Sequence, residues 1–328
     1  MKKNILVTGG AGFTGSNLAR KLLSKGYDVS VLARKSSDLS RLNGLRLKII
    51  NGDIRDKASA DVAVKNADIV YHIAASYQDY KLKDKDYWDI NVKGTKNLLD
   101  AAVKYKIRRF IHCSTVGVLG DIREIPANEG TAYNPGDIYQ KTKAEAEKLA
   151  LLYHKKYRLP VVVVRPAGIY GPGDKRFLRL IKSIYKKRFF MIGKGDKLYH
   201  LTYIDDLING FILAGAKKNA TGQIYIIAGE KPVMMKDFVL TISKILKVPV
   251  NNLRLPLLPI LILSWACDKL LRPLGMNPPL VPRRLDPFWK NRAFDISKAK
   301  KELGYNPKTS LEEGLKKTIQ WYKENHWL

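Results

Sequence analysis

Short β-branched runs alternate with longer stretches of helical periodicity through the first half of the chain. The runs Asn4 to Thr8, Val29 to Leu32, Leu47 to Asn51, Ile69 to Ile73, Arg109 to Ser114 and Val161 to Arg165 predict strands. Apolar segments of this length suit a parallel sheet buried on both faces. Between them apolar positions recur at helical spacing at about Gly15 to Ser24, Ser59 to Lys65, Tyr87 to Tyr105 and Tyr139 to Tyr157. The alternation predicts βαβ units, and hence an α/β fold with a doubly wound parallel sheet.

After Pro166 the rhythm changes. Gly168, Gly171, Pro172 and Gly173 crowd together, a basic amphipathic helix is predicted from about Arg176 to Arg188, and irregular short elements follow. This divides the chain into a sheet-forming part, 1–166, and a smaller C-terminal lobe, 167–328, interleaved with the end of the sheet. The end is helical again: Ser310 and Glu313 stand at capping-box spacing ahead of Leu315, Ile319 and Tyr322.

Composition narrows the class. The 328 residues are 45% hydrophobic and 27% charged, which excludes a disordered or collagen-like chain. Two cysteines, Cys113 and Cys267, cannot build a disulfide framework and fit a reducing cytoplasm. The apolar run near the N-terminus stops at Thr8-Gly9-Gly10, so no export signal is read there. The longest apolar stretch, Leu255 to Cys267, is interrupted by Pro256 and Pro259 and falls short of the roughly 20 residues a spanning helix needs. Such a stretch is most often core; a lipophilic pocket wall and a membrane-surface contact are the alternatives. The net charge of +29 reads first as a Lys-rich solvated surface, and otherwise favours anionic partners, including phosphorylated cofactors and the headgroups of an anionic membrane. The charge is spread over both halves and no nucleic-acid module is present, so a specific nucleic-acid partner is not expected. His72, His112 and His200 have no metal-ligand spacing, and no metal site is expected.

Directly after the first strand, Gly9, Gly12, Phe13, Thr14 and Gly15 belong to a G-x-x-G-x-x-G turn that leads into a helix. A glycine turn in that context lets backbone N–H groups approach a pyrophosphate at the positive end of the helix. An NAD site would place an acid at the end of the second strand to bond the ribose 2′-hydroxyl. The chain has Arg34, Lys35 and Ser36 there, which favours the 2′-phosphate of NADP, with NAD as the alternative. At the next strand end Asp53, followed by Ile54, is placed to accept from an adenine amino group, or to form a turn.

Tyr139 and Lys143 form a Y-x-x-x-K pair at the start of a predicted helix. Four residues advance a helix by about 6 Å and about 40°, so both side chains share one face. An adjacent ammonium and an oxidised nicotinamide both favour the phenolate, which equips Tyr139 to exchange a proton with a substrate oxygen. A hydroxyl from the end of the fifth strand, in Ser114-Thr115, would orient that oxygen.

These motifs resemble the extended short-chain dehydrogenase/reductases of the NAD-dependent epimerase/dehydratase kind. The resemblance covers the glycine turn, Gly52-Asp53, His72 to Ala75, Asn91 to Thr95, the Tyr139/Lys143 pair and Arg165 to Pro172. It implies a Rossmann-type dinucleotide-binding part over 1–166 and a mainly substrate-binding lobe over 167–328. It implies Thr115 as the catalytic hydroxyl with Ser114 as fallback, and Ala74 and Ala75 on the cofactor groove. It further implies Pro166 beside the nicotinamide carboxamide, a structural Asn91, and a homodimer built on the helices around Asn91 to Tyr105 and Tyr139 to Tyr157.

Departures from the family pattern bear on the reaction. Dehydratases of this kind carry an Asp-Glu pair after the catalytic threonine, where this chain has Val116-Gly117. Many nucleotide-sugar members place an arginine shortly before Asp205/Asp206, where this chain has only Lys197. The stretch instead resembles the 3β-hydroxysteroid dehydrogenase and dihydroflavonol reductase-like branch. The expected activity is hydride transfer between NADP(H) and a secondary alcohol or ketone, with a lipophilic or nucleotide-sugar substrate. A nucleotide-sugar 4-epimerase and a non-catalytic dinucleotide sensor are the alternatives.

Overall fold

The computed structural model describes residues 3–77, 82–251, 253–271, 276, 278 and 280–328. Its central sheet contains β1 (Asn4–Thr8), β2 (Asp28–Ala33), β3 (Lys48–Asn51), β4 (Ile69–His72), β5 (Arg109–Cys113), β6 (Val161–Pro166) and β7 (Ile224–Ile227). Their order is β7-β6-β5-β4-β1-β2-β3, and every neighbouring pair is parallel. The chain winds outward from β1 over β2 and β3, then reverses to β4. The crevice between the carboxyl ends of β1 and β4 is therefore the switch point at which doubly wound sheets bind ligands. The six expected strands are all present; β7 joins them from the second half of the chain, where its four residues lack a flanking pattern that would announce a strand.

Alternate side chains leave the sheet on opposite faces, and both faces are covered. Ile5, Val7, Tyr71, Ile111, Val162 and Val164 share a core with Leu18 and Leu22 of α1 (Phe13–Ser24) and with apolar residues of α6, named below. Leu6, Val70, Phe110, Val161 and Val163 face the other way. They meet Ala60 and Val64 of α2 (Lys57–Val64), Leu98 and Ala102 of α3 (Gly94–Lys104) and Ala150 and Tyr153 of α4 (Ile138–Tyr157). The helix expected over Tyr87 to Tyr105 runs without interruption from Asp84 to Lys104, widened at Asp89–Lys93 ahead of α3. Asp137 caps α4, its carboxylate accepting from the Gln140 N–H at 2.8 Å, which fixes where Tyr139 enters the helix.

The remaining helices are α5 (Leu178–Tyr185), α6 (Ile204–Ala216), α7 (Met235–Leu246), α8 (Leu257–Leu271), α9 (Pro282–Trp289) and α10 (Leu311–Glu324). Leu207 and Phe211 belong to α6, which packs on β5 and β6, while α10, with Leu315, Ile319 and Tyr322 buried, packs on α7. The basic helix expected over Arg176 to Arg188 is only α5: Arg176 precedes it, and Lys187 beyond it has a left-handed φ of 56°. The core expected over Leu255 to Cys267 is not core. The segment forms most of α8, in which Ser264 alone is fully buried, and Leu258, Ile262, Leu263 and Trp265 are 56–68% exposed. The helix docks on α9 rather than on the sheet, so one side only has protein against it. No helix among the described residues is long and apolar enough to cross a membrane.

A buried ion pair ties α4 to β6. Arg165 and Glu147 meet at 2.7 Å with side chains 1% and 0% exposed. Glu147 also accepts from the Tyr133 hydroxyl at 2.8 Å and from Ser114 at the end of β5, while Arg165 donates to the Glu129 carbonyl at 3.2 Å. Removing one partner strands the other charge in the interior. Glu147→Ala is expected to destabilise the fold by about 3–5 kcal/mol, read as a lower urea midpoint at unchanged slope.

Candidate active site

The glycine turn follows β1 at the switch point. Gly9 has a φ of +71°, and a Cβ there would lie 2.7 Å from the Ala74 nitrogen. A Cβ at Gly15 would lie 2.2 Å from the Gly9 carbonyl oxygen. Glycine at both positions is what lets the turn close, with the Gly12 N–H donating to the Gly9 carbonyl at 3.0 Å. Gly12 caps α1 without a side chain, and no acid occupies the first helical turn. The first amides of α1 therefore present uncompensated positive partial charge to whatever lies above them.

A cavity of about 1000 Å³ opens over this turn. Gly9, Gly12, Phe13, Thr14, Gly15, Arg34, Asp53, Ile54, Ala74, Ala75, Thr115, Tyr139 and Pro166 all line it. Of the remaining sequence candidates, Lys35 is exposed and outside the lining, and Lys143 is buried behind the wall. Ser37 and Arg55 line the cavity and were not singled out from sequence. Arg55 holds Asp53 at 2.7 Å, and its hydrogen bonds keep the Asp53 carboxyl below its ordinary range against the opposing effect of burial. The motif gave no sign that this acid has a partner two residues away.

A directional chain of hydrogen bonds sets the cavity floor. The Ala74 N–H donates to Thr8 Oγ1 at 3.3 Å, and Thr8 Oγ1 lies 2.8 Å from His72 Nδ1. His72 Nε2 lies 2.8 Å from Thr95 Oγ1, which donates to the Asn91 carbonyl at 2.6 Å. Because Thr95 spends its hydrogen on Asn91, it accepts from His72, and the Nε2–H tautomer follows. Burial, and then the nearby Lys143 charge, push the His72 pKa down to about 3, so the ring is neutral. Asn91 sits in the widened turn, accepting from the Ser76 N–H at 2.8 Å and donating to Thr142 Oγ1 at 3.0 Å. It joins the loop after β4 to α4, in keeping with a structural role.

Thr115 and Tyr139 face the same space. Ser114 is buried and its hydroxyl is committed to Glu147, whereas Thr115 is partly exposed and accepts from the Gly117 N–H at 3.0 Å. That acceptor role leaves the Thr115 hydroxyl hydrogen available to a ligand. Burial pushes the Tyr139 phenol above its ordinary value, as do Cys113 and Tyr77, while the guanidiniums of Arg283 and Arg176 pull it back. Burial lowers the pKa of Lys143, opposed by Cys113 and Glu147. The Cys113 thiol is pushed up to about 11 by burial, which keeps it protonated and unreactive.

The far side of the cavity comes from the second half of the chain. Arg283, on α9, lies 5.1 Å from the Tyr139 ring centroid and is ion-paired to Asp137. Arg176 and Arg283 each lie 5.4 Å from the Tyr77 ring, which meets Tyr139 edge-on at 4.9 Å. Arg176, just ahead of α5, and Arg179 within it both line the space, so this basic stretch is partly a cavity wall. Phe177, Tyr199, Met235 and Phe288 supply apolar lining beside them.

The shape fits a dinucleotide. A side chain on the glycine turn would clash, the turn's amides are uncapped, and the cavity runs from them past Pro166 to Tyr139. This is the architecture of a dinucleotide-dependent α/β enzyme. The chain belongs to the NAD dependent epimerase/dehydratase family, which residues 5–228 match. It is 32% identical over 295 residues to an Arabidopsis thaliana 3beta-hydroxysteroid-dehydrogenase/decarboxylase, covering 84% of this chain and 66% of that one. The chain therefore spans just under two thirds of that relative's length. It is 29% identical over 339 residues to a Mycobacterium tuberculosis 3 beta-hydroxysteroid dehydrogenase/Delta 5-->4-isomerase, covering 97% and 90%. Among solved structures, UDP-glucuronic acid 4-epimerase from Bacillus cereus, in complex with NAD, superposes with a TM-score of 0.78 at 28% identity, covering 98% and 99%.

Proposed function

We propose that this protein is an NADP-dependent oxidoreductase that moves hydride between the nicotinamide and a secondary alcohol or ketone, with Thr115, Tyr139 and Lys143 as its working residues. The observation that carries the reading is the meeting of the uncapped glycine turn, Thr115, Tyr139 and Pro166 on one cavity. The dinucleotide, when bound, accepts or supplies the hydride. Thr115 donates its free hydroxyl hydrogen to the substrate oxygen and so holds it within reach of Tyr139. Tyr139 takes the proton from an alcohol or gives one to a carbonyl. Lys143, one helical turn on and buried, is assigned the part of the ammonium that favours the phenolate during turnover. Residues up to Pro166 hold the cofactor, and residues 167–328 mainly hold the substrate.

Arg34 and Ser37 after β2 support NADP over NAD, because a 2′-phosphate gains charge-assisted hydrogen bonds from a guanidinium standing where an NAD site would place an acid. Arg34→Ala is expected to cost about 1.5–3 kcal/mol of NADPH binding and to leave NADH binding unchanged, measured by nucleotide fluorescence titration. Equal losses for both nucleotides would assign NAD.

Arg176 and Arg283 support an acidic group on the substrate. Together, on one wall of the cavity, they supply the guanidinium that the Lys197 to Asp206 stretch lacks. The Arabidopsis relative's name couples dehydrogenation to decarboxylation, which requires a carboxylate, and the apolar lining suits a lipophilic body. A 4-epimerase remains the second reading, favoured by the Bacillus cereus neighbour and by the same two arginines, which would equally receive a diphosphate.

One assay separates these readings. Wild type is expected to consume NADPH in proportion to a ketone acid and to prefer the acid to its neutral ester; an epimerase would leave the nucleotide unchanged. Tyr139→Phe is expected to lose about 10²–10⁴-fold in kcat. Because the phenol is raised, it is protonated at neutral pH in the free protein. Alcohol oxidation, which needs the phenolate, should therefore accelerate with rising pH, whereas carbonyl reduction, which needs the phenol, should stay flat.

A homodimer on α3 and α4 is supported by Leu152 and Tyr157, exposed on α4. Light scattering should return twice the chain mass, and Leu152→Glu should halve it. A cytoplasmic location is supported by Cys113 and Cys267, both unbridged.

A further inference from the structure

A helix apolar around its whole circumference belongs in a core or in lipid, and α8 is on the surface. Its sequence, from Leu257 to Leu271, has one acid and one base, Asp268 and Lys269. One side packs on α9. The other presents Leu258, Ile262 and Trp265 in a line at helical spacing, with Leu263 and Leu270 beside them, all exposed. At 15 residues it is too short to span a bilayer but long enough to lie in its interface.

The surroundings of this face are basic. The short strand Arg254–Leu255, which leads into α8, pairs with Met191–Ile192. Lys186, Lys187 and Arg188 run into that partner strand, and Lys194 leaves it; all four are exposed, as is Arg254. The acids in these segments are Asp196, just beyond Lys194, and the half-buried Asp268. At the other end Lys269 lies 4.5 Å from the Trp265 ring, so one amphipathic ring and one snorkelling ammonium mark the same level. A cationic rim around an apolar stripe complements an anionic headgroup layer above acyl chains. It does not complement the same cationic rim on a second copy of the chain.

We propose that the outer face of α8, flanked by Lys186, Lys187, Arg188, Lys194 and Arg254, is a peripheral docking site for an anionic lipid bilayer. The helix enters the headgroup and acyl boundary parallel to the membrane, and the basic rim holds the lipid phosphates. Docking brings α9, which carries Arg283 and Phe288 into the cavity wall, to within one helix of the bilayer. The site does not depend on the reaction proposed above.

The test is sedimentation of the full chain with sucrose-loaded vesicles of phosphatidylcholine alone or mixed with phosphatidylglycerol. Wild type should bind the mixed vesicles, more weakly at high salt, with a blue shift of tryptophan emission that Trp265→Phe reduces. The triple variant L258S/I262S/L263S should lose roughly a hundredfold in partitioning with unchanged circular dichroism and nucleotide binding. The triple variant K186Q/K187Q/R188Q should lose roughly tenfold, on mixed vesicles only, and its salt dependence should flatten. Wild-type sedimentation no greater than that of the serine variant would overturn the proposal. So would light scattering in which the serine variant falls from a larger oligomer to a smaller one while neither protein binds vesicles, which would make the face an interface between copies.

Discussion

Three separate pieces of backbone must be held in register for the cavity to exist, and the buried Glu147–Arg165 pair is what holds them. Glu147 belongs to α4, Arg165 to β6, and the Ser114 hydroxyl at the end of β5 donates to the same carboxylate. Thr115, Tyr139 and Pro166 are each within eight residues of one of these anchors. Two charges taken from water are costly, and the cost is offset only because the remaining lone pairs and N–H groups find Tyr133 and the Glu129 carbonyl. The pair gives specificity of arrangement more than raw stability.

The polar chain from Ala74 to Asn91 does the same for the cofactor end. It connects β1, the end of β4 and the helix leading to α3, and a neutral His72 is its pivot. Each donor has one acceptor, so no member can reorient without leaving a buried group unpaired. The glycine turn thus rests on a floor whose polar chain runs in one direction from Ala74 to Asn91. On the opposite wall Arg176, Arg283, Tyr77 and Tyr139 form a cation and aromatic cluster whose members come from four distant parts of the chain.

Local chemistry made much of this legible beforehand. Buried parallel strands are short apolar runs, so six of seven were visible, and a glycine turn between strand and helix announces itself by spacing. The Tyr139/Lys143 pair was legible because a helix fixes the relation of residues four apart. What escaped was long-range. Glu147, Arg165 and Tyr133 look like ordinary members of their elements until the fold brings them together, and Arg283 stands 144 positions beyond Tyr139. Lys35 was grouped with Arg34 by adjacency, but neighbouring residues after a strand point apart. The Leu255 to Cys267 stretch reads first as core, with a pocket wall and a membrane contact as alternatives, because hydrophobicity measures a need for cover and does not say what provides it.

The seventh strand has a consequence for how the molecule is put together. β7 arrives from beyond α5 and α6 to pair with β6, whose four valines are fully buried. A chain ending after Pro166 would leave that strand as a bare hydrophobic rim open to foreign backbones. The two halves are accordingly not separable modules joined by a hinge. They should melt together as one cooperative body, and any opening of the cleft must come from its loops and outer helices, leaving the sheet intact.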